Sequence, residues 1–535
     1  MPERRLETTL MSQHLGSPIE QVLDGENNAV DFDIAYPLKG NLIAAVEQLR
    51  QLHGIDICLL PMSATSSGGG IFQSKKRPST MIVGLRFDPP TSPRLRFATL
   101  PDLLDIAQDE IIIDRDHQQI SAGCAVTLDQ LNRALAQELG QCYKVPGADL
   151  TSYMYAAVGA TFMTGGMGPQ RRYFSDSVIE ISIYDGDKII TVEGDALQGY
   201  AGTYGWSGIV CALRCNYYCF PENEIAFALP VSGKPQPLAN LLEHFSPYSY
   251  LNLDTDKVTS QAKSHNLILG IEHVSCASMQ PLLNDTTDNP VYKRAAGLQE
   301  KCIAAMVDGL VFVNGFSELS SDEFLISLAD DQKAEEFTIA GIELEHAEVF
   351  NDQEEMRAVR EAIPYAARTQ VPDGRFVYKN HSDATIRMPQ HEVAANVRQL
   401  WQINCEYVTS VENHFSQHKE IDGQILVYGH LNPYGVDPHN RVTMCSDDED
   451  AFQQSRGFLV EQRAHYYRSL ATLCESSNAV FVGGEKTADS ELGIYHALGG
   501  PENSPAELFA RFKQQRATVK SAAEIFSWRA PSVYR

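Results

Sequence analysis

The chain has 535 residues, too many for one hydrophobic core, so two or three domains are expected. Hydrophobic residues at 43% and charged residues at 21% are the balance of a soluble globular protein, and no run approaches the ~20 apolar residues that cross a bilayer. A formal charge of −26 argues against a nucleic-acid partner, because phosphate backbones are met with surplus Lys and Arg.

The first residues, MPERRLETTLMSQHLG, carry charge without an apolar h-region, so no secretory signal is read and a cytoplasmic location is expected. NLIAAVEQLRQLHG follows with apolar residues at helical spacing and a closing Gly, then IDICLLPM as a strand. SATSSGGG is a small-residue loop suited to close backbone approach. MIVGLRF and IIIDRDHQQISAGCAVT predict strands, and TLDQLNRALAQELG predicts an amphipathic helix capped by Thr127. A second small-residue region, AAVGATFMTGGMGP, spans 156–169, and VIEISIYDGDKIITVEG predicts two strands around an Asp185-Gly186 turn.

Eleven cysteines, an odd number with no CxxC pair, fit a reducing compartment and free thiols. Cys211, Cys215 and Cys219 are predicted to share one face of a strand, with neighbours about 13 Å apart at ~3.3 Å per residue, too far to hold one cluster. From residue 222 the texture becomes α+β without glycine-rich loops. VYKRAAGLQEKCIAAM predicts a helix, GLVFVNGF a strand, and a further helix follows SSDEF. Residues 392–415 predict a long helix, 421–429 a strand, and 452–475 another helix. The strand at 421–429 runs into VYGHLNPYGVDPHN (427–440), which reads as a stiff, turn-rich loop with His430 and His439 around Pro433, Gly435 and Pro438.

No GxGxxG or GxxxxGK[ST] fingerprint is present, so neither a Rossmann nor a P-loop site is indicated. The ordered series LLPMSATSSGGG, ISAGCAVTLDQLNRALAQELG, VPGAD, VGATFMTGGMGP, RRYFSDSVIEISIYDGDKI and GTYGWSGIV resembles the FAD-binding domain of the vanillyl-alcohol oxidase and p-cresol methylhydroxylase (PCMH) flavoprotein family, over roughly residues 35–220. The resemblance implies an α+β fold: a two-part PCMH-type FAD-binding domain, then an α+β cap domain on an antiparallel sheet. The implied boundaries are an N-terminal segment at 1–30, the FAD domain at 31–222, the cap at 223–480, and a segment at 481–535 that returns to the flavin domain. By position it implies FAD contacts from Thr65, Ser66, Gly69 and Gly70 in the first loop. Gly159, Thr164, Gly168 and Pro169 match the second, and Gly208, Ile209 and Val210 a flanking strand. Met62, Ser63 and Ala64 stand where the family has glycines, and without a His in that loop no histidyl-linked flavin is expected.

Downstream, MRAVREAIPYA, FVYKNHSDATIRMP, VYGHLNPYGVDPH and EKTADSELGIYHAL resemble, in order, the branch that oxidises D-lactate, glycolate and D-2-hydroxyglutarate. That resemblance implies Arg360 and Lys379 as substrate-binding cations. It also implies His430, His439 and Glu491 as ligands of a zinc or manganese ion, with Asp437 an alternative to His439. Leu492 stands where that branch has a histidine base, which leaves His496, Tyr495, Tyr434 or His381 as candidates. The implied activity is FAD-linked oxidation of a D-2-hydroxy acid, with electrons passing to a quinone, an electron-transfer protein or oxygen. The alternatives are oxidation of a phenolic or other alcohol, and a non-catalytic FAD-binding subunit. A homo-oligomer and a place at the membrane periphery are compatible with the sequence.

Overall fold

The computed structural model describes residues 14–19, 21–22, 32–53, 57–63, 81–147, 154–164, 174–201, 208–245, 267–283, 288–334, 346–369, 374–383, 385–387, 393–432, 435–477 and 480–483. These divide into two units, the first running to Tyr217 and the second starting at Tyr218.

The first unit holds two sheets. Strands β1 (Ile34–Pro37), β2 (Ile57–Met62) and β3 (Met81–Arg86) pair in parallel in the order β1-β3-β2. Helix α1 (Leu42–His53) starts where the Asn41 side chain accepts hydrogen bonds from the N–H groups of Ile43 and Ala44. Its apolar stripe of Leu42, Ala45, Val46 and Leu49 is buried in the same core as Leu59, Val83 and Leu85. The second sheet has the order β4-β5-β6-β10-β8-β9, from β4 (Arg94–Phe97), β5 (Glu110–Asp114), β6 (Gln119–Gly123), β8 (Val178–Tyr184), β9 (Ile189–Glu193) and β10 (Ile209–Asn216). A short strand, β7 (Tyr143–Lys144), follows helix α2 (Leu128–Leu139), and helix α3 (Val158–Thr164) precedes β8.

Several predicted elements appear as expected. Thr127 caps α2 in a complete capping box with Gln130. The turn between β8 and β9 is closed by Asp185, whose carboxylate accepts from the N–H groups of Asp187 and Lys188. The cysteine expectation is corrected. Strand β10 is irregular between Val210 and Ala212 and again between Arg214 and Cys215, and Cys219 lies in a separate strand, so the three thiols do not follow one alternating face.

The second unit is built on an antiparallel sheet of seven strands, in the order β15-β12-β14-β13-β18-β19-β16. After β11 (Tyr218–Cys219) come β12 (Asn223–Val231), α4 (Pro235–Phe245), β13 (Leu267–Ser275), α5 (Cys276–Leu283), α6 (Pro290–Ala304) and β14 (Gly309–Ser317). Then follow α7 (Ser321–Ala334), β15 (Glu348–Val349), α8 (Gln353–Thr369), β16 (Phe376–Asp383), β17 (Thr385–Arg387) and α9 (Val393–Gln417). Strands β18 (Asp422–Asn432) and β19 (Gly435–Ser446), helix α10 (Glu449–Ser477) and β20 (Val480–Gly483) complete it. On one sheet face Val274, Phe312, Leu426 and Tyr428 form a core with Leu298 of α6 and Met356, Val359 and Ile363 of α8. On the other face the Trp401 indole of α9 meets His273 edge-on at 5.2 Å and donates to the carbonyl of Gly233.

This is the expected class: α+β, with a first unit of two sheets followed by an α+β unit on an antiparallel sheet. Among the described residues no helix is long and apolar enough to cross a membrane.

Candidate active site

The segment VYGHLNPYGVDPHN departs from its expected form. It is no open loop: β18 runs through His430 to Asn432, and β19 restarts at Gly435 and carries His439. The two strands pair over their whole length, with Tyr428 opposite His439 and His430 opposite Asp437. Pro438, the residue that suggested a loop, sits opposite Gly429, one position beyond the point where the β16 ladder begins at His439.

Pairing directly across a sheet places side chains on the same face. Strand β13 meets β18 with Glu272 opposite His430, so Glu272, His430, His439 and Arg441 share the face covered by α8. From α8, Arg360 reaches the same point. Its Nε lies 3.1 Å from Glu272 Oε2, and the two side chains are only 1% and 4% exposed. The other carboxylate oxygen, Oε1, lies 3.9 Å from His430 Nε2. The rings of His430 and His439 stand nearly edge to face, with centroids 5.1 Å apart. A buried carboxylate thus stands between a guanidinium and an imidazole, an arrangement in which attraction must offset a large desolvation cost.

Of the predicted site residues, the structure brings Arg360, His430 and His439 together. Lys379 is half-buried on β16 opposite Thr443, four strand positions from His439, or about 13 Å along β19 at ~3.3 Å per residue. Tyr434, Glu491, Leu492, Tyr495 and His496 lie outside the described residues, as do the side chains of Asp437 and His381. Glu272 was not singled out in the sequence. Its signal there is a lone acidic residue inside the apolar run LILGIEHV, since carboxylates are almost never fully buried without a partner.

The described donors do not make up a metal centre. Among the described residues no group of three His, Cys, Asp or Glu side chains is placed to hold an ion. His430 and His439 offer two imidazoles, Glu272 is engaged by Arg360, and a catalytic divalent ion takes three protein ligands.

In the first unit, Gly159 and Gly208 occupy positions that only glycine fills. A Cβ on Gly159 would stand 2.8 Å from Cys124 Cβ, where α3 presses on the sheet. Gly208 has φ +137°, and a Cβ there would stand 2.3 Å from the Tyr184 carbonyl oxygen. Ile209 and Val210 are buried in this unit's core, and the Thr164 hydroxyl donates to the Ala160 carbonyl within α3. Thr65, Ser66, Gly69, Gly70, Gly168 and Pro169 lie outside the described residues.

No protein-family profile matches this chain, and no curated protein does. Two solved structures, both of an alkyldihydroxyacetonephosphate synthase in different crystal forms, share its fold. The first has a TM-score of 0.54 and 12% identity, covering 93% of this chain and 77% of its own. The second has the same score and identity, covering 95% and 76%. At such identity the likeness establishes the fold and leaves the chemistry to the residues.

Proposed function

We propose that the protein is an FAD-dependent oxidoreductase acting on a small anionic substrate, with a D-2-hydroxy acid as the leading class. The observation that carries the reading is the convergence of Arg360, Glu272, His430 and His439 on one buried sheet face, in a chain with the PCMH-type fold. FAD would be held by the segments that follow β2 and α3 together with Gly159 and Gly208, and when bound it supplies the two-electron acceptor. Arg360 would grip a carboxylate through its planar donor fork, and Glu272 would keep that fork from rotating. His430, 3.9 Å from Glu272, is the nearest imidazole to that grip and suits hydrogen bonding to a substrate hydroxyl.

A phosphate ester, as in the name of the structural neighbours, is the second substrate class. The presence of a second buried cation, Arg441, on the same face as Arg360 favours it. Zinc or manganese on His430, His439 and Glu491 belongs to the hydroxy-acid form of this reading. The final electron acceptor would be a quinone, an electron-transfer protein or oxygen.

The test is anaerobic bleaching of the purified yellow protein by a panel of D- and L-2-hydroxy acids, phosphorylated hydroxyketones and benzylic alcohols, with metal content measured on the same sample. Bleaching by a D-2-hydroxy acid is the expected result. Bleaching by a neutral benzylic alcohol alone would reject an anionic substrate, and a protein that cannot be loaded with FAD would reject the whole reading.

A further inference from the structure

Strand β4 of the first unit presents an open outer edge. It ends the six-stranded sheet and pairs with β5 alone, in parallel, Arg94 to Phe97 against Glu110 to Ile113. Among the described residues no strand takes its other side. The N–H groups of Arg94 and Ala98 donate inwards, to the carbonyls of Asp109 and Ile113. Strand alternation therefore turns the N–H and C=O groups of Leu95 and Phe97 outwards.

All four residues of β4 are exposed, Leu95 by 37% and Phe97 by 49%, yet the strand is anchored at both ends. Ahead of it the Gln130 side-chain amide donates to the Pro90 carbonyl. Beyond it Leu100, with φ +40°, donates its N–H to the Asp114 carboxylate at 2.7 Å. Native proteins guard such an edge with a free charge, a proline or a bulge. Residues 94–97 contain no proline and pair with β5 without a bulge. Both arginines are tied to β5 or the residue before it, Arg94 to Asp109 at 2.8 Å and Arg96 to Glu110 at 2.6 Å. In a chain of net charge −26, the run PPTSPRLRFATLP at 89–101 has no acidic residue, so two copies meet there without acid-to-acid repulsion.

We propose that a second copy of this chain pairs with β4, antiparallel about a two-fold axis at Arg96, and joins the two six-stranded sheets into one. The strand is self-complementary in this register. Leu95 meets Phe97 of the second copy and Phe97 meets its Leu95, so the outward N–H and C=O groups of both strands are satisfied. On one face this forms two leucine–phenylalanine contacts across the seam, the kind of pair that stabilises a sheet. On the other face the two Arg96 side chains stand opposite each other, and Glu110 of each copy offsets their repulsion. So short a strand covers less than the about 800 Å² per partner of a standard interface, so the dimer is weak and forms as the protein is concentrated.

Sedimentation velocity of the full-length protein, from nanomolar to high-micromolar loading, tests this. A monomer that becomes a dimer with rising concentration is expected. Phe97→Pro removes an outward N–H and no bond to β5, so it should abolish the dimer while the thermal midpoint of the dilute protein stays that of wild type. Leu95→Lys should do the same by placing a free charge on the seam, with the backbone unaltered. Under mild oxidation Arg96→Cys should link two copies through position 96, because opposed residues of this kind have Cα atoms ~4.5 Å apart, within disulfide reach. Peptide mapping by mass spectrometry identifies that link. A monomer at every concentration would overturn the proposal and leave the edge to a different protein. A dimer that survives both Phe97→Pro and Leu95→Lys, or an oxidised Arg96→Cys dimer without the 96–96 link, would place the interface elsewhere and overturn it as well.

Discussion

Glu272 of β13 and Arg360 of α8 meet at 3.1 Å with almost no solvent on either, 88 residues apart in the chain. Neither charge is tolerable there alone. Glu272→Leu or Arg360→Met should each cost about 3–5 kcal/mol, whereas the double variant should recover most of that loss. Urea unfolding of the four proteins gives the coupling energy directly. Additive losses in the double variant would show that the pair is not coupled.

Arg360→Lys keeps the charge but loses the planar fork. If Arg360 receives the substrate anion, this variant should keep its flavin spectrum and lose at least about tenfold in flavin reduction rate per unit substrate, about 1.4 kcal/mol. Stopped-flow bleaching measures it. An unchanged rate with unchanged affinity would remove Arg360 from the substrate site and leave it a structural partner of Glu272.

His273 points to the opposite sheet face from Glu272 and is fully enclosed. Burial holds its pKa down to about 4, against a smaller upward pull from Asp308. The folded value lies below the unfolded one of about 6.5, so the unfolded chain takes up the proton first. The stabilisation is complete above about pH 6.5 and is lost as pH falls towards 4, by about 3 kcal/mol over that window. His273→Leu should flatten the stability profile between those limits; a profile as steep as wild type would locate the acid sensitivity elsewhere.

Asp114 supplies a second, lower window. Burial raises its pKa, but hydrogen bonds from the N–H groups of Leu100 and His117 and from the His117 ring outweigh that and hold it below the usual carboxylate range. Its contribution is present above about pH 4 and disappears only at lower pH. Asp114→Asn should therefore lower stability at neutral pH and narrow the gap to wild type at strongly acid pH, as read by chemical denaturation.

Gly208→Ala meets both a left-handed backbone and the Tyr184 carbonyl. The expected cost is about 2–3 kcal/mol, seen as a lower urea midpoint with an unchanged slope. A loss under about 0.5 kcal/mol would mean that β10 shifts freely there.

Local signals were legible wherever one short stretch sets the structure. Thr127 marks a helix start by a side-chain cap, and Asp185 marks a turn by accepting two backbone hydrogens. What sequence periodicity could not supply was long-range pairing. Pro438 and Gly435 suggested a loop because the pairing that makes these positions strand comes from β18 and β16, which local periodicity does not reveal. Glu272 was overlooked because its partners lie on α8 and β18, and without them an acidic residue in a strand reads as a surface position. Cys211 follows no simple alternation because β10 changes register against β8 at that point.

The sheet of the second unit has a seam. Strands β15, β12, β14 and β13 come from residues before 350, and β18, β19 and β16 from residues after 375. The two sets join through three residue pairs between β13 and β18, one of them Glu272 with His430. During synthesis on the ribosome, the first set emerges with the backbone edge of β13 bare and Glu272 awaiting its companions. A chain halted before residue 422 would present that edge to other nascent chains, so early termination should give aggregation in place of a smaller folded product.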